Sequence, residues 1–226
     1  MTATLEYTGP AVTGGRTRRA SSGIDALRGD LVRMMDLARF SLRDTITALE
    51  TGDTGLAASV IERDDEVDEL DRCIEQRAIC LVATGKPTAY ELRFVGAAMK
   101  VTTDIERIGD HAVNIARVVA RLAQCPFNLP VPLEIERMGC LSVQLLKATA
   151  EAFADNDAAA ARSVIARDDE MDILYREAQN ELRARMIADP SRSVAASHLL
   201  FVAHYLERVG DHCANAAERL EWLVSG

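Results

Sequence analysis

Aromatic side chains are scarce in this chain: five Phe, four Tyr and one Trp among 226 residues. Nowhere do apolar and polar residues alternate over the length of a strand. Both absences speak against β-structure, whose strands favour aromatic and β-branched residues with a period of two. Long apolar runs are missing too. The longest, such as "HLLFVAHYL" at 198–206, stop well short of the ~18 residues a membrane-spanning helix needs, so no direct membrane insertion is expected. The first residues carry no apolar core of a secretory signal. The five cysteines, at 73, 80, 125, 140 and 213, are odd in number and include no C-x-x-C pair. That argues against a disulfide framework and suits a reducing cytoplasm. Cys73 and Cys80 are expected as small core residues. Basic charge is in deficit: 26 Lys and Arg against 35 Asp and Glu leave a formal charge of −9. With no Lys/Arg stripe interleaved with aromatics, nucleic acid is not expected as a partner. No Gly-rich phosphate-gripping loop and no nucleophile with its base stand out, so no catalytic or cofactor-binding residues are assigned.

What remains is helix-forming. Ala, Leu, Arg, Glu and Asp recur at spacings of three and four, and 48% hydrophobic content suffices for a sizeable core. An all-α fold is expected. Residues 1–20, rich in Thr, Gly and Arg and without periodicity, read as a flexible tail. Leu27, Leu31, Met34, Ala38, Leu42, Ile46 and Leu49 then mark a first long helix, interrupted by "TGDTG" at 51–55. Val60, Val67, Ile74 and Leu81, at heptad spacing, predict one continuous second helix up to "TGKP", where Gly85 suits a C-cap and Pro87 a stop. Thr88 with Glu91 forms a capping-box signature for a third helix running to about Ala123. "CPFNLPVP" at 125–132 is the one Pro-rich linker.

Beyond that linker the pattern starts over: a helix over about 133–154, a turn at "DNDA", a long helix to Ala188, "DPS", and a last helix to about Val224. Two motifs return nearly unchanged. "RDDEVD" (63–68) recurs as "RDDEMD" (167–172), and "ERIGDHAVN" (106–114) as "ERVGDHCAN" (207–215). The chain therefore divides into two repeats, 21–124 and 133–226. Each is expected to hold three long antiparallel helices, because short loops force sequence neighbours to pack side by side.

Each motif plants two carboxylates four residues apart on one helix face, where like charges repel by a few tenths of a kcal/mol. In an antiparallel hairpin, residues at one height share a midpoint. Asp64 with Asp110, and Asp68 with Glu106, both centre on position 87, in the predicted turn. Asp168 with Asp211, and Asp172 with Glu207, both centre on 189.5, inside "ADPS". Four carboxylates converging at one height call for a cation between them. Asn114 and Asn215 prolong the rows by four residues and add neutral oxygen donors. An all-oxygen set suits hard ions: magnesium, calcium, manganese or iron. His111 and His212 lie roughly 100° around the helix from the preceding Asp, which makes them supporting partners of the ligands or surface residues. The plainer alternative pairs Asp68 with Arg72 and Asp172 with Arg176 as solvated ion pairs, with Arg107 and Arg208 nearby, and leaves the acidic rows as an exposed patch.

At "LRFVGAAMKVTTDIERIGDHAVNIAR" (92–117) and "LERVGDHCANAAE" (206–218), with the paired RDDE-x-D motifs and the Pro before each third helix, the sequence resembles the PhoU family of phosphate-uptake regulators. The resemblance covers nearly everything after the tail. It implies two tandem three-helix bundles with pseudo-twofold symmetry. It also implies multinuclear metal clusters, iron foremost with zinc among the alternatives, bound by Asp64/Asp68, Glu106/Asp110, Asp168/Asp172 and Glu207/Asp211. The role implied is that of a cytoplasmic, non-catalytic negative regulator. It would couple the Pst phosphate ABC transporter, through its ATPase subunit, to a phosphate-sensing histidine kinase, with a homodimer among the candidate assemblies.

Two departures stand out. Tyr205 occupies the place of Asp104 in the second repeat, so the two sites are not equivalent if Asp104 contributes to one, and the extension before the first helix lies outside the family pattern. Two readings from other classes compete. A carboxylate-bridged di-iron oxidase or ferroxidase needs Glu-x-x-His on two helices, and neither Glu106 nor Glu207 has His three residues on. A metal-free helical scaffold would use its acidic faces to bind basic partner surfaces.

Overall fold

The computed structural model of the chain describes residues 14–225 apart from 86, 127 and 128, with side-chain surroundings from 23 onward. The elements, in chain order, are α1 (Gly14–Thr51), α2 (Thr54–Glu62), α3 (Asp65–Thr84), α4 (Ala89–Leu122), α5 (Leu133–Asp155), α6 (Ala158–Ile165), α7 (Asp168–Ala188) and α8 (Ser193–Ser225). A 3-10 turn, Pro190–Arg192, precedes α8. No strand occurs among the described residues, so the fold is all-α. Helix α1 starts at Gly14, seven residues inside the stretch read as tail, while residues 1–13 lie outside the described ones.

The sequence predicts one continuous second helix in each repeat, and the structure breaks it in two. The breaks fall at Arg63–Asp64 and Ala166–Arg167, at the start of the RDDE motif, where three-residue bonds replace the helical ladder: Val67 N–H to Asp64 O at 3.1 Å and Glu170 N–H to Arg167 O at 3.2 Å. Heptad spacing could not show this, because Val60 and Val67 stay buried on both sides of the break. The acids explain the site of the break. A new helix N-terminus opposes Asp65, Glu66 and Asp68 in α3, and Asp168, Asp169 and Glu170 in α7, with a favourable dipole. Each break is also tied to the first helix of its own repeat: Arg63 donates to Asp44 Oδ2 at 2.8 Å, and Arg167 to Gln144 Oε1 at 3.0 Å.

The turns before α2 and α6 repeat as well. Gly52 and Asn156 take positive φ (69° and 55°). The next residues, Asp53 and Asp157, cap the new helices by accepting from Gly55 and Leu56, and from Ala159 and Ala160. The capping box at α4 forms as expected: Thr88 N–H donates to Glu91 Oε2 at 2.6 Å and Glu91 N–H to Thr88 Oγ1 at 3.3 Å.

The apolar row of α1 from Leu27 to Leu49 is buried and continuous with the buried faces of α3, α4, α5, α7 and α8, giving one core through both repeats. The repeats meet along α4 against α8 and α1 against α5. At the second contact Gly139 leaves the space into which Ile46 packs; a Cβ there would sit 3.0 Å from Ile46 Cγ2. Cys73 and Cys80 are exposed, contrary to expectation. They precede Ile74 and Leu81 by one residue, a rotation of about 100° that carries them off the core face. No helix among the described residues is long and apolar enough to cross a membrane.

Candidate functional site: two acidic hairpins and the seam between them

In each repeat the site is built where the broken second rod meets the third helix. Asp64 occupies the N-cap position of α3 but bonds no backbone N–H, which leaves its carboxylate turned toward α4. Facing it is a glycine. A Cβ on Gly109 would lie 3.8 Å from Asp64 Oδ1, and one on Gly210 would lie 3.4 Å from Asp168 Oδ1 and 3.1 Å from Met171 Cγ. At Gly210 the missing side chain leaves room that Met171 fills, whereas at Gly109 a methyl would make only ordinary contacts.

The electrostatics follow the midpoint register. Burial, then the charges of Asp68 and Asp110, holds the Asp64 carboxyl above the usual carboxylate range. Burial, opposed by Arg107 and reinforced by Asp110, Asp71 and Asp68, does the same for Glu106. In the second repeat burial, then Asp211 and Asp172, raises Asp168, while burial, then Asp211 opposed by Arg208 and joined by Asp172 and Asp168, raises Glu207. Each repeat thus brings its four motif carboxylates into one mutually repelling group. Asp68 and Asp172 sit on the exposed side, and the other six are half-buried. Asn114 is half-buried and accepts from Arg117 at 3.2 Å; Asn215 is exposed.

The ion pairs of the plainer alternative take a different form. Arg72 and Arg176 donate to the main-chain carbonyls of Asp68 and Asp172, both at 3.1 Å, not to the carboxylates. The arginines that do engage the motif are Arg107, paired with Asp110 at 3.0 Å, and Arg208, paired with Asp211. These give two of the motif carboxylates a cationic partner on their own helix. Among the described residues no three His, Cys, Asp or Glu side chains converge as a ready metal cage. The donor chemistry nonetheless suits a cation: clustered carboxylates that burial and mutual repulsion make costly to ionise without a neutralising charge, and a buried Glu207 Oε2 with no hydrogen-bond partner.

His111 and His212 are neither behind the ligands nor on the surface. They lie in the seam where α4 and α8 run antiparallel, stacked on each other with ring centroids 5.7 Å apart. His212 Nδ1 is 2.9 Å from Asp104 Oδ1, and the equivalent His111 stacks on Tyr205 at 5.6 Å. The Asp104/Tyr205 difference between repeats is therefore spent at the seam, each residue meeting the histidine of the other repeat. Burial, then the neighbouring His212, lowers His111 to about 4, and its Nδ1 is buried without a partner.

The sequence reading missed a second layer of each hairpin. The same midpoints pair Asp71 with Thr103 and Tyr175 with His204. Asp71 adds its charge beside Glu106. Tyr175 and His204 meet with ring centroids 6.3 Å apart, and His204 Nδ1 lies 3.6 Å from Glu207 Oε2. Extending the register by one helical turn would have found all four.

Fold and site together describe an all-α tandem-repeat protein with an acidic hairpin in each repeat. The model of the PhoU domain matches residues 31–119 and again 135–220. The chain is 35% identical to a Clostridium acetobutylicum protein named phosphate-specific transport system accessory protein PhoU homolog, over 91% of this chain and 94% of that one. It is 36% identical to the Caulobacter vibrioides protein of the same name, over 88% and 87%. The crystal structure of PhoU from Pseudomonas aeruginosa superposes with a TM-score of 0.87 at 31% identity, covering 91% of this chain and 99% of that one. That of the phosphate transport system regulatory protein PhoU from Streptococcus pneumoniae gives 0.83 at 27%, covering 90% and 96%. This chain belongs to the PhoU family.

Proposed function

We infer that this chain is an accessory protein of phosphate-specific transport. It acts in the cytoplasm without catalysis of its own, coupling the transporter's ATPase subunit to a phosphate-sensing histidine kinase so that starvation genes stay off when phosphate is plentiful. The observation that carries the reading is the extent of the likeness: both repeats, nearly end to end, align with relatives named for that transport system. A non-catalytic role accords with relatives named accessory or regulatory proteins and with the lack of Glu-x-x-His at Glu106 and Glu207.

In this reading each hairpin holds metal, iron or another hard or borderline ion, through Asp64, Asp68, Glu106, Asp110 and Asn114 in the first repeat and Asp168, Asp172, Glu207, Asp211 and Asn215 in the second. The ion would supply charge neutralisation and fix α3 against α4 and α7 against α8, organising the faces offered to partners. Co-purification with the transporter ATPase and the kinase, with and without phosphate, tests the coupling. Binding that responds to phosphate is expected, together with derepressed alkaline phosphatase when the gene is deleted. Failure to recover either partner, with a normal phosphatase response in the deletion strain, would refute it.

A further inference from the structure

The two hairpins share their motif acids but differ in the layer beside Glu106 and Glu207. In the first repeat that layer is Asp71 with Thr103, so a fifth carboxylate joins the four motif acids and every donor is oxygen. In the second repeat Tyr175 replaces Asp71 and His204 replaces Thr103. His204 stands on α8 three residues before Glu207, on the same helix face. Its Nδ1 is 3.6 Å from Glu207 Oε2, too long for a hydrogen bond. That oxygen is buried and has no hydrogen-bond partner. The imidazole is itself half-exposed, its side chain at 49% of full accessibility against 19% for Glu207, so it can turn toward a shared ion without unpacking the core.

Ligand type decides which ion a site prefers. Carboxylate oxygens suit magnesium, calcium and manganese, whereas an imidazole nitrogen favours zinc, iron and other transition metals. We propose that His204 is a nitrogen ligand beside Glu207, so that the second repeat takes a transition-metal ion while the all-oxygen first repeat, with Asp71, takes a hard one. The proposal rests on the metal reading above and adds to it a ligand and a division of labour. It also gives the exchange of Thr103 for His204 between the repeats a chemical consequence.

The test is titration of the full chain with Mg2+ and, separately, Zn2+. His204→Thr restores the residue of the first repeat, and Thr103→His places the imidazole in the other hairpin. Wild type is expected to show one site that prefers Zn2+. His204→Thr should weaken Zn2+ at that site roughly tenfold or more, the scale on which even a ligand's supporting partner matters, and leave Mg2+ unchanged. Thr103→His should create a second Zn2+-preferring site. Histidine labelled with 15N gives a check that needs no variant: the ring signals of His204 should move on adding Zn2+ and stay in place on adding Mg2+. Unchanged Zn2+ affinity in His204→Thr, or His204 signals indifferent to Zn2+, overturns the proposal even if both hairpins bind ions. Absence of any ion binding by wild type overturns the metal reading itself, and this proposal with it.

Discussion

His212 on α8 places its Nδ1 2.9 Å from Asp104 Oδ1 on α4, joining the two repeats through a pair whose side chains are only 13% and 17% exposed. An ionised carboxylate can only accept, so the ring nitrogen carries the proton in this contact. Breaking it leaves a largely buried polar group alone. Asp104→Ala is expected to destabilise the protein by roughly 1–3 kcal/mol, read as a lower midpoint in urea. Tyr205, the equivalent residue, makes an apolar stack on His111. Tyr205→Phe should accordingly leave the midpoint nearly unchanged.

The seam also sets a pH dependence. His111 is lowered from 6.5 to about 4 by burial and by His212. Between those values the unfolded chain binds a proton that the folded chain refuses, so this residue's contribution to stability is present above 6.5 and is lost as pH falls toward 4. The raised carboxylates Asp64, Glu106, Asp168 and Glu207 act in the opposite sense: the folded state holds their protons longer, and stability is lost as pH rises through their folded pKa values. Comparing wild type with His111→Phe in urea melts from pH 4 to 7 isolates the first effect. The stability difference between wild type and variant should shift in favour of wild type as pH rises from 4 to 6.5; a difference that does not change with pH would remove His111 as a source of the dependence.

The two motif glycines should respond differently to alanine. In a helix interior Gly→Ala gains up to about 1 kcal/mol of propensity. At Gly109 the new methyl would meet Asp64 and Val67 at 3.8 Å, an ordinary contact, so Gly109→Ala should raise the melting temperature. At Gly210 it would sit 3.1 Å from Met171 Cγ. Gly210→Ala should gain less or lose, and equal gains at both positions would contradict the packing described.

How much of this was legible beforehand differs between residues. The buried row from Leu27 to Leu49, the Thr88 capping box and the facing of Asp64 with Asp110 all follow from period, cap chemistry and midpoint. The breaks at Arg63–Asp64 and Ala166–Arg167 did not show, because a short interruption that preserves a heptad spacing leaves the apolar pattern intact. Nor did the places of His111 and His212: their partners, Tyr205 and Asp104, lie on the other repeat's helix, and no period within one repeat reports on packing between two. The exposure of Cys73 and Cys80 was legible, since the row through Ile74 and Leu81 already turns them off the core face.

Arg107 and Arg208 compete with any ion for Asp110 and Asp211. These partly exposed pairs are worth up to about 1 kcal/mol each, so Arg107→Gln and Arg208→Gln should tighten ion binding by up to about fivefold per site. Calorimetric titration with Mn2+ reads this directly, and weaker binding in the variants would assign the arginines a supporting role instead.

The most direct test of the account is elemental analysis of the purified protein beside its Asp110→Ala, Asp211→Ala double variant, with helical circular dichroism as the control for folding. Stoichiometric metal in wild type and its loss from a fully helical variant is the predicted result. The same metal content in both proteins would contradict it, because the facing carboxylates would then have no part in holding the ion.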